Sequence, residues 1–195
     1  EEVIQNNEKR FRALIENGLD DISLLAADGT LLWESPSTIR NLGYAPGEYV
    51  TRNIFEIMHP DDLAWTRKVF AKLVQEPGGH ESGIFRLRRS DGTWRWVEAI
   101  ATNFLNEPVI NAVVINYRDI TEGKQTEEAL REERNLLRTL IDNIPDRIYV
   151  MDSQGRKTLS NTADWQASGG KTMEDVIGKT DVDTYPPELA EEFWQ

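Results

Sequence analysis

The chain has 195 residues, is 39% apolar, holds no cysteine and carries a formal net charge of -12. That apolar share can supply packed cores for one or two domains, and no run of about eighteen apolar residues offers a membrane span. The lack of cysteine excludes disulfides, thiolate metal sites and thiol nucleophiles, and the acidity argues against a nucleic-acid partner, which needs clustered cations to displace counterions.

Glu1 to Asn17 places Ile4, Phe11, Leu14 and Ile15 at helical spacing before Asn17 and Gly18, which predicts a linker helix over 1–19. Asp21 to Pro36 reads as a hairpin. Ile22, Leu24 and Leu25 precede the turn pair Asp28 and Gly29, and Leu31, Leu32 and Trp33 follow; Gly supplies the positive φ of a tight turn. Between Ser37 and Met58, Gly43, Pro46 and Gly47 break the chain into brief helical turns. His59, Pro60, Asp61 and Asp62 then open the longest helix of the unit, which ends near Pro77, Gly78 and Gly79. Pro60 suits the first helical position, and the two aspartates place negative charge at the positive end of the helix dipole. A metal or proton-transfer site on His59, Asp61 and Asp62 competes with that reading, but helix-start chemistry already accounts for three of the four residues.

Glu81 to Tyr117 predicts three long strands. Phe85 and Leu87 alternate with Arg86 and Arg88, Asp91 and Gly92 turn the chain, and Trp94 to Phe104 returns it. On the returning strand Trp94, Trp96 and Ile100 share one face while Val97, Ala99 and Ala101 share the other, so the strand is expected to be central and covered on both sides. Pro108 separates it from a last strand, Val109 to Tyr117. Arg86, Arg88, Arg89 and Arg95 fit a solvated hairpin better than a nucleic-acid patch. The charged helix that follows carries Leu130, Leu137, Leu140 and Ile141 at steps that let two helices lie side by side, which predicts a coiled-coil linker over 122–144.

The chain also repeats itself. Leu14, Ile15 and Asn17 recur as Leu140, Ile141 and Asn143, an offset of 126 residues. Held without a gap, that offset pairs Ile22 with Ile148, Gly29 with Gly155, Gly43 with Gly169, Glu48 with Glu174 and Val50 with Val176. It also pairs Pro60 with Pro186, Leu63 with Leu189 and Ala64 with Ala190. The expected organisation is therefore one linker helix, one complete unit over 20–121, a second linker helix, and the first half of a second unit over 145–195, cut from a longer tandem array.

In this order the motifs resemble a PAS domain of the subgroup with a His-Pro-Asp-Asp helix start. The matching residues are Gly43 and Tyr44 before Pro46 and Glu48, then His59 to Asp62, then Phe85 to Arg88 with Asp91, Gly92, Trp94, Trp96 and Val97, and finally Asp119, Ile120 and Thr121. Residues 145–195 resemble the first half of another PAS domain through Gly169, Glu174, Gly178, Lys179, Pro186 and Leu189. The resemblance implies an α+β fold, a five-stranded antiparallel sheet with flanking short helices and helical linkers. It also implies sensing and relay, with a ligand or partner held on the inner sheet face.

Signal relay is expected at Asp119, Ile120, Thr121 and Lys124. Candidate pocket walls are Trp33, Leu42, Met58, Phe70 and Phe85, with Leu87, Val97, Ala99, Val113 and Ile115. No cofactor is predicted: flavin relatives of the LOV type and coumaric-acid photoreceptors need a cysteine, and haem-binding relatives use a histidine on the long helix, where Asp62 to Val74 has none. A noncovalent flavin or a small metabolite stays open. The expected function is sensory input to a sensor histidine kinase. Alternatives are the input of a diguanylate cyclase or phosphodiesterase, a ligand-free dimerisation module, and, ranked last, a carboxylate enzyme at Asp61 and Asp62 or at Asp181 and Asp183. Expected partners are a second copy through the linker helices, an output domain in the same chain and a small ligand. With no signal sequence in view the expected setting is cytoplasmic, an upstream membrane anchor being left open.

Overall fold

The computed structural model describes Ile15 and residues 20–184, so apart from Ile15 the helix expected over 1–19 lies outside the described residues. The chain divides into two compact units, Glu1–Gln125 and Thr126–Gln195. The first runs β1 (Asp21–Leu25), β2 (Leu31–Glu34), α1 (Pro36–Leu42), a 3-10 turn (Ile54–Glu56), α2 (Pro60–Gln75), β3 (His80–Arg88), β4 (Trp94–Phe104) and β5 (Ala112–Asp119). Its strands form one antiparallel sheet in the order β2-β1-β5-β4-β3.

Local chemistry explains the joints. Gly29 turns the first hairpin at φ 86°, and a Cβ there would stand 2.8 Å from the Phe55 ring, so this position needs glycine for conformation and for space. His59 caps α2, its Nδ1 accepting from the Asp61 N–H at 3.2 Å, with Pro60 at the first helical position. Asp62 faces inward instead of serving the helix end. It accepts from the Arg86 backbone N–H and from Arg86 Nε, both at 2.9 Å, and from Arg86 Nη2 at 3.0 Å. Burial pushes the Asp62 carboxyl up, but the Arg86 hydrogen bonds outweigh it and hold the group below its ordinary value. The His-Pro-Asp-Asp stretch is thus a latch that fastens the start of α2 to β3.

The core lies on one face of the sheet, where Leu25, Val97, Leu87 and Val113 meet Leu42 of α1 and Leu73 of α2. Two sequence expectations need correction. β4 is an interior strand, but Ile100 is 53% exposed and Trp94 37% exposed, so among the described residues its outer face is not covered; both helices pack on the inner face. The last strand begins at Ala112, not Val109. Residues 107–110 form a turn in which the N–H groups of Ile110 and Asn111 both donate to the Glu107 carbonyl.

One end of the core is polar. Asp21, Ser23, Ser35, Ser37, Thr38 and Tyr117 are all buried there. Asp21 accepts two hydrogen bonds from Asn41 Nδ2, while Glu34 Oε1 and Tyr117 Oη are buried without a hydrogen-bond partner. Burial raises the carboxyls of Asp21 and Glu34 and the Tyr117 hydroxyl above their ordinary values.

The helix α3 (Thr121–Asp142) crosses the division between the units. The second unit then has β6 (Tyr149–Met151), β7 (Lys157–Ser160), α4 (Thr162–Ala167), a 3-10 turn (Met173–Asp175) and α5 (Asp181–Thr184). Its hairpin repeats hydrogen bonds of the first. Ile22 N–H donates to Ser35 Oγ at 3.0 Å, and Ile148 N–H donates to Asn161 Oδ1 at 2.9 Å. Beyond Gly169 the register slips by one. Leu31 exchanges backbone bonds with Thr51 and Arg52, whereas Lys157 does so with Gly178 and Lys179, and buried Val176 takes the place of Tyr49. The ungapped pairs Glu48 with Glu174 and Val50 with Val176 are therefore each displaced by one residue, because the loop after Gly169 is one residue longer. The pairs at Pro186, Leu189 and Ala190 lie outside the described residues.

The interiors differ too. Lys157 stands where the first unit has Leu31, fully buried, with Nζ 2.8 Å from Asp164 Oδ2; Arg147 Nη2 reaches Asp164 Oδ1 at 2.8 Å. Among the described residues, no helix is long and apolar enough to cross a membrane, and no group of three or more His, Cys, Asp or Glu side chains is placed to hold a metal ion.

Arg86→Ala leaves the buried Asp62 carboxylate with one backbone partner and is expected to cost about 2 kcal/mol. Urea unfolding reads this directly, and an unchanged midpoint would refute the latch. Glu34→Gln tests the polar end. Because the folded state raises the Glu34 carboxyl, its ionised form costs stability above the folded pKa, and that cost fades as the group is protonated. The variant should melt above the wild type at about pH 7, with the gap closing towards about pH 4; a gap independent of pH contradicts the assignment.

Candidate functional site

The sheet floor beneath α2 is built of small residues. Gly83 of β3 pairs with Ala99 of β4, and Glu81 pairs with Ala101, whereas the next inward rung, Phe85 with Val97, is large. The depression left by Gly83, Ala99 and Ala101 is roofed by Trp65, Val69, Phe70 and Leu73 of α2 and closed by Leu25, Phe55, Met58 and Ile115. It holds about 60 Å³ and is partly open at its rim. A water needs roughly 10–15 Å³ measured in this way, and sites for drug-sized ligands run to about 300 Å³ and more.

The roof is held at both ends. The Asp62 and Arg86 latch fixes the start of α2, and Asn103 Nδ2 of β4 donates to the carbonyls of Leu73, Val74 and Glu76 at its end, at 2.8, 3.1 and 3.0 Å. Two polar side chains on the lining are already engaged, and a third, Ser82, is exposed on the edge strand. Thr66 Oγ1 donates to the Asp62 carbonyl at 2.5 Å, and Lys72 Nζ lies 2.8 Å from Glu81 Oε1. The interior therefore suits an apolar occupant, since a polar group entering it would give up water without gaining a partner.

Of the pocket walls expected from sequence, Met58, Phe70, Phe85, Ala99 and Ile115 line this cavity. Leu42, Leu87, Val97 and Val113 are buried in the surrounding core and do not line it, and Trp33 is 39% exposed on β2. Sequence reasoning missed Trp65, Val69 and Leu73, although their spacing of four marks one helix face. It also missed Gly83, whose place inside a strand signals a close approach.

Asp119, Ile120, Thr121 and Lys124, the residues expected to relay a signal, lie together where β5 becomes α3. Ile120 N–H donates to the Trp96 carbonyl at 2.9 Å, and Trp96 N–H donates to Thr121 Oγ1 at 2.9 Å. Thr121 N–H in turn donates to Asp119 Oδ1 at 2.8 Å, and Lys124 N–H closes the first helical turn on the Ile120 carbonyl at 3.0 Å. Arg95 Nε stands 3.7 Å from Asp119 Oδ2, an ion pair longer than a hydrogen bond. Thr121 is 4% exposed. Its hydroxyl extends the β4 and β5 ladder one step past the end of β5, so the helix start is part of the sheet's bonding.

Comparison with known proteins agrees with this architecture. Residues 24–113, from β1 into β5, match the model of the PAS fold family. The chain is 30% identical to the uncharacterized protein y4lL of Sinorhizobium fredii over 140 residues, 70% of this chain and 16% of y4lL. It is also 30% identical to the sensor protein FixL of Bradyrhizobium diazoefficiens over 120 residues, 61% of this chain and 24% of FixL. It thus spans less than a quarter of the length of either relative. The solved PAS domain of an HTR-like protein from Haloarcula marismortui superposes with a TM-score of 0.55 at 25% identity, covering 61% of this chain and 96% of that one. With its five-stranded antiparallel sheet and the matched segment inside it, the first unit of this chain belongs to the PAS fold family.

Proposed function

We propose that the chain is a sensory input and relay segment of a larger signal-transduction protein, a sensor histidine kinase, acting in the cytoplasm. The observation that carries this reading is the join of sheet to helix. The last strand passes without a loop into the 22-residue α3, on which Leu130, Leu136, Leu137 and Leu140 are 65%, 59%, 52% and 55% exposed. Scattered single leucines on a surface are ordinary, but Leu130, Leu137 and Leu140, at steps of seven and three on one helix, are what a second helix would cover. In this reading two copies pair through α3. A small ligand in the cavity under α2 biases the sheet between two arrangements, and the junction at Asp119, Ile120, Thr121 and Lys124 hands the change to the paired helices and an output domain beyond them. FixL's name as a sensor protein supports the sensory role. The shared hairpin bonds support reading the second unit as the start of another PAS domain, with Lys157 and Asp164 giving it a different interior.

The small cavity favours one alternative, a module that holds no ligand and only dimerises. No haem or flavin is proposed for this interior, which would have to grow several-fold to take either.

Sedimentation of the chain over a range of concentrations should show a monomer–dimer equilibrium. Leu137→Asp combined with Leu140→Asp should return it to monomer with its circular dichroism unchanged. A wild type that stays monomeric at every concentration would remove the paired-helix relay.

A further inference from the structure

The cavity under α2 is lined on its solvent side by Trp65, which lies between α2 and β3. β3 is the edge strand of the sheet, so the gap between α2 and β3 is closed by side chains and not by another strand. Trp65 sits across it at 37% exposure, and a Cβ on Gly83 would fall 2.6 Å from Trp65 Cη2 and 3.1 Å from Cζ3. The indole therefore lies directly on the strand, in the space that any other residue at position 83 would fill. Its ring meets Phe85 edge-on, with centroids 6.4 Å apart at 61°. Among the described residues its indole N–H bonds to no protein group, so packing alone holds the ring in place.

The helix around it is not free in the same way. The latch at Asp62, the Asn103 bonds at the far end and the Lys72 and Glu81 ion pair fasten α2 to β3 and β4 on both sides of Trp65. A molecule entering the cavity by this route does not have to lift the helix. It has only to displace one ring.

We propose that Trp65 is a gate resting on Gly83, and that it admits to the cavity a small, uncharged molecule carrying one aromatic ring. The proposal rests on reading this cavity as the ligand site. Size and chemistry together set the class. With the indole on the strand, the cavity holds about 60 Å³, below the roughly 150 Å³ of an engineered cavity that takes benzene. With the indole swung out, a ring of similar area can lie on Gly83 and meet Phe85 as the indole does. Among the described residues the lining carries no cationic side chain and its one carboxylate, Glu81, is paired with Lys72, so an anionic ligand would find no counter-group there.

The probe is indole, titrated into the whole chain and followed through the methyl signals of Val69, Leu73 and Ile115. Gly83→Ala adds volume to the floor, so by filling alone it must weaken binding; by forcing Trp65 off the strand it must strengthen it, because the open population no longer limits affinity. The expected result is indole bound about tenfold more tightly by Gly83→Ala than by the wild type, with indole-3-carboxylate bound by neither. Should Gly83→Ala fail to fold, Trp65→Phe shortens the gate and must tighten indole binding in the same direction. Binding by the wild type that is equal to or tighter than binding by the folded variant overturns the gate while leaving the cavity as a ligand site. Equal binding of the carboxylate overturns the ligand class. No binding to any variant, including a folded Trp65→Ala, overturns the gate together with the ligand reading of the cavity.

Discussion

The Thr121 hydroxyl accepting from the Trp96 backbone N–H is the contact on which the join of sheet to helix depends. A strand that simply stopped at Asp119 would leave the helix after it free to swivel. Here Ile120 donates back to the Trp96 carbonyl and Thr121 takes the Trp96 amide, so β4 grips the first residues after β5 as though the ladder continued. Each such bond is worth only about 1 kcal/mol net. Their effect is directional: a change in the twist of β4 against β5 has to appear as a change in the direction of α3. Asp119 adds the cap on Thr121 and the longer ion pair with Arg95, so the corner is held from both strands.

At the other end of the sheet, size governs. Small residues at Gly83, Ala99 and Ala101 keep the floor from meeting α2, while Asp62 with Arg86 and Asn103 with the last turn of α2 keep the helix from sinking onto it. The cavity follows from two anchors set around an under-filled stretch. Because the same β4 that supplies Ala99 and Ala101 also supplies Trp96, cavity and corner sit on one strand, paired with β5 from Val97 to Phe104. That continuity gives the proposed relay a physical path with no further moving part.

Features written in nearby residues were legible in the sequence. The Asp28 and Gly29 turn, the Pro60 helix start, the alternation of Phe85 and Leu87 with arginines, and the Asp119 to Thr121 corner each depend on neighbours within a few positions. What was hidden depends on distant contacts. The exposure of Ile100 could not be read from an apolar face alone, because the pattern does not say which face the helices take. Trp65 and Gly83 gain meaning only once α2 lies over β3. The repeat was visible, but a constant offset does not reveal a loop one residue longer when Gly169 keeps its turn and Val176 slips into the place of Tyr49. Likewise Lys157 in place of Leu31 shows a charge in an apolar position, and only the fold supplies Asp164 as its partner.

The claim that strand and helix form one stiff piece is tested most directly by amide hydrogen exchange at Trp96, Ile120 and Thr121. If the corner is part of the sheet, these three amides exchange as slowly as buried Val97 of β4 and Val113 of β5, through global unfolding alone. Exchange at Trp96 and Thr121 as fast as at exposed loop amides such as Val109, with Val97 still protected, would show a hinge where the account requires a clasp.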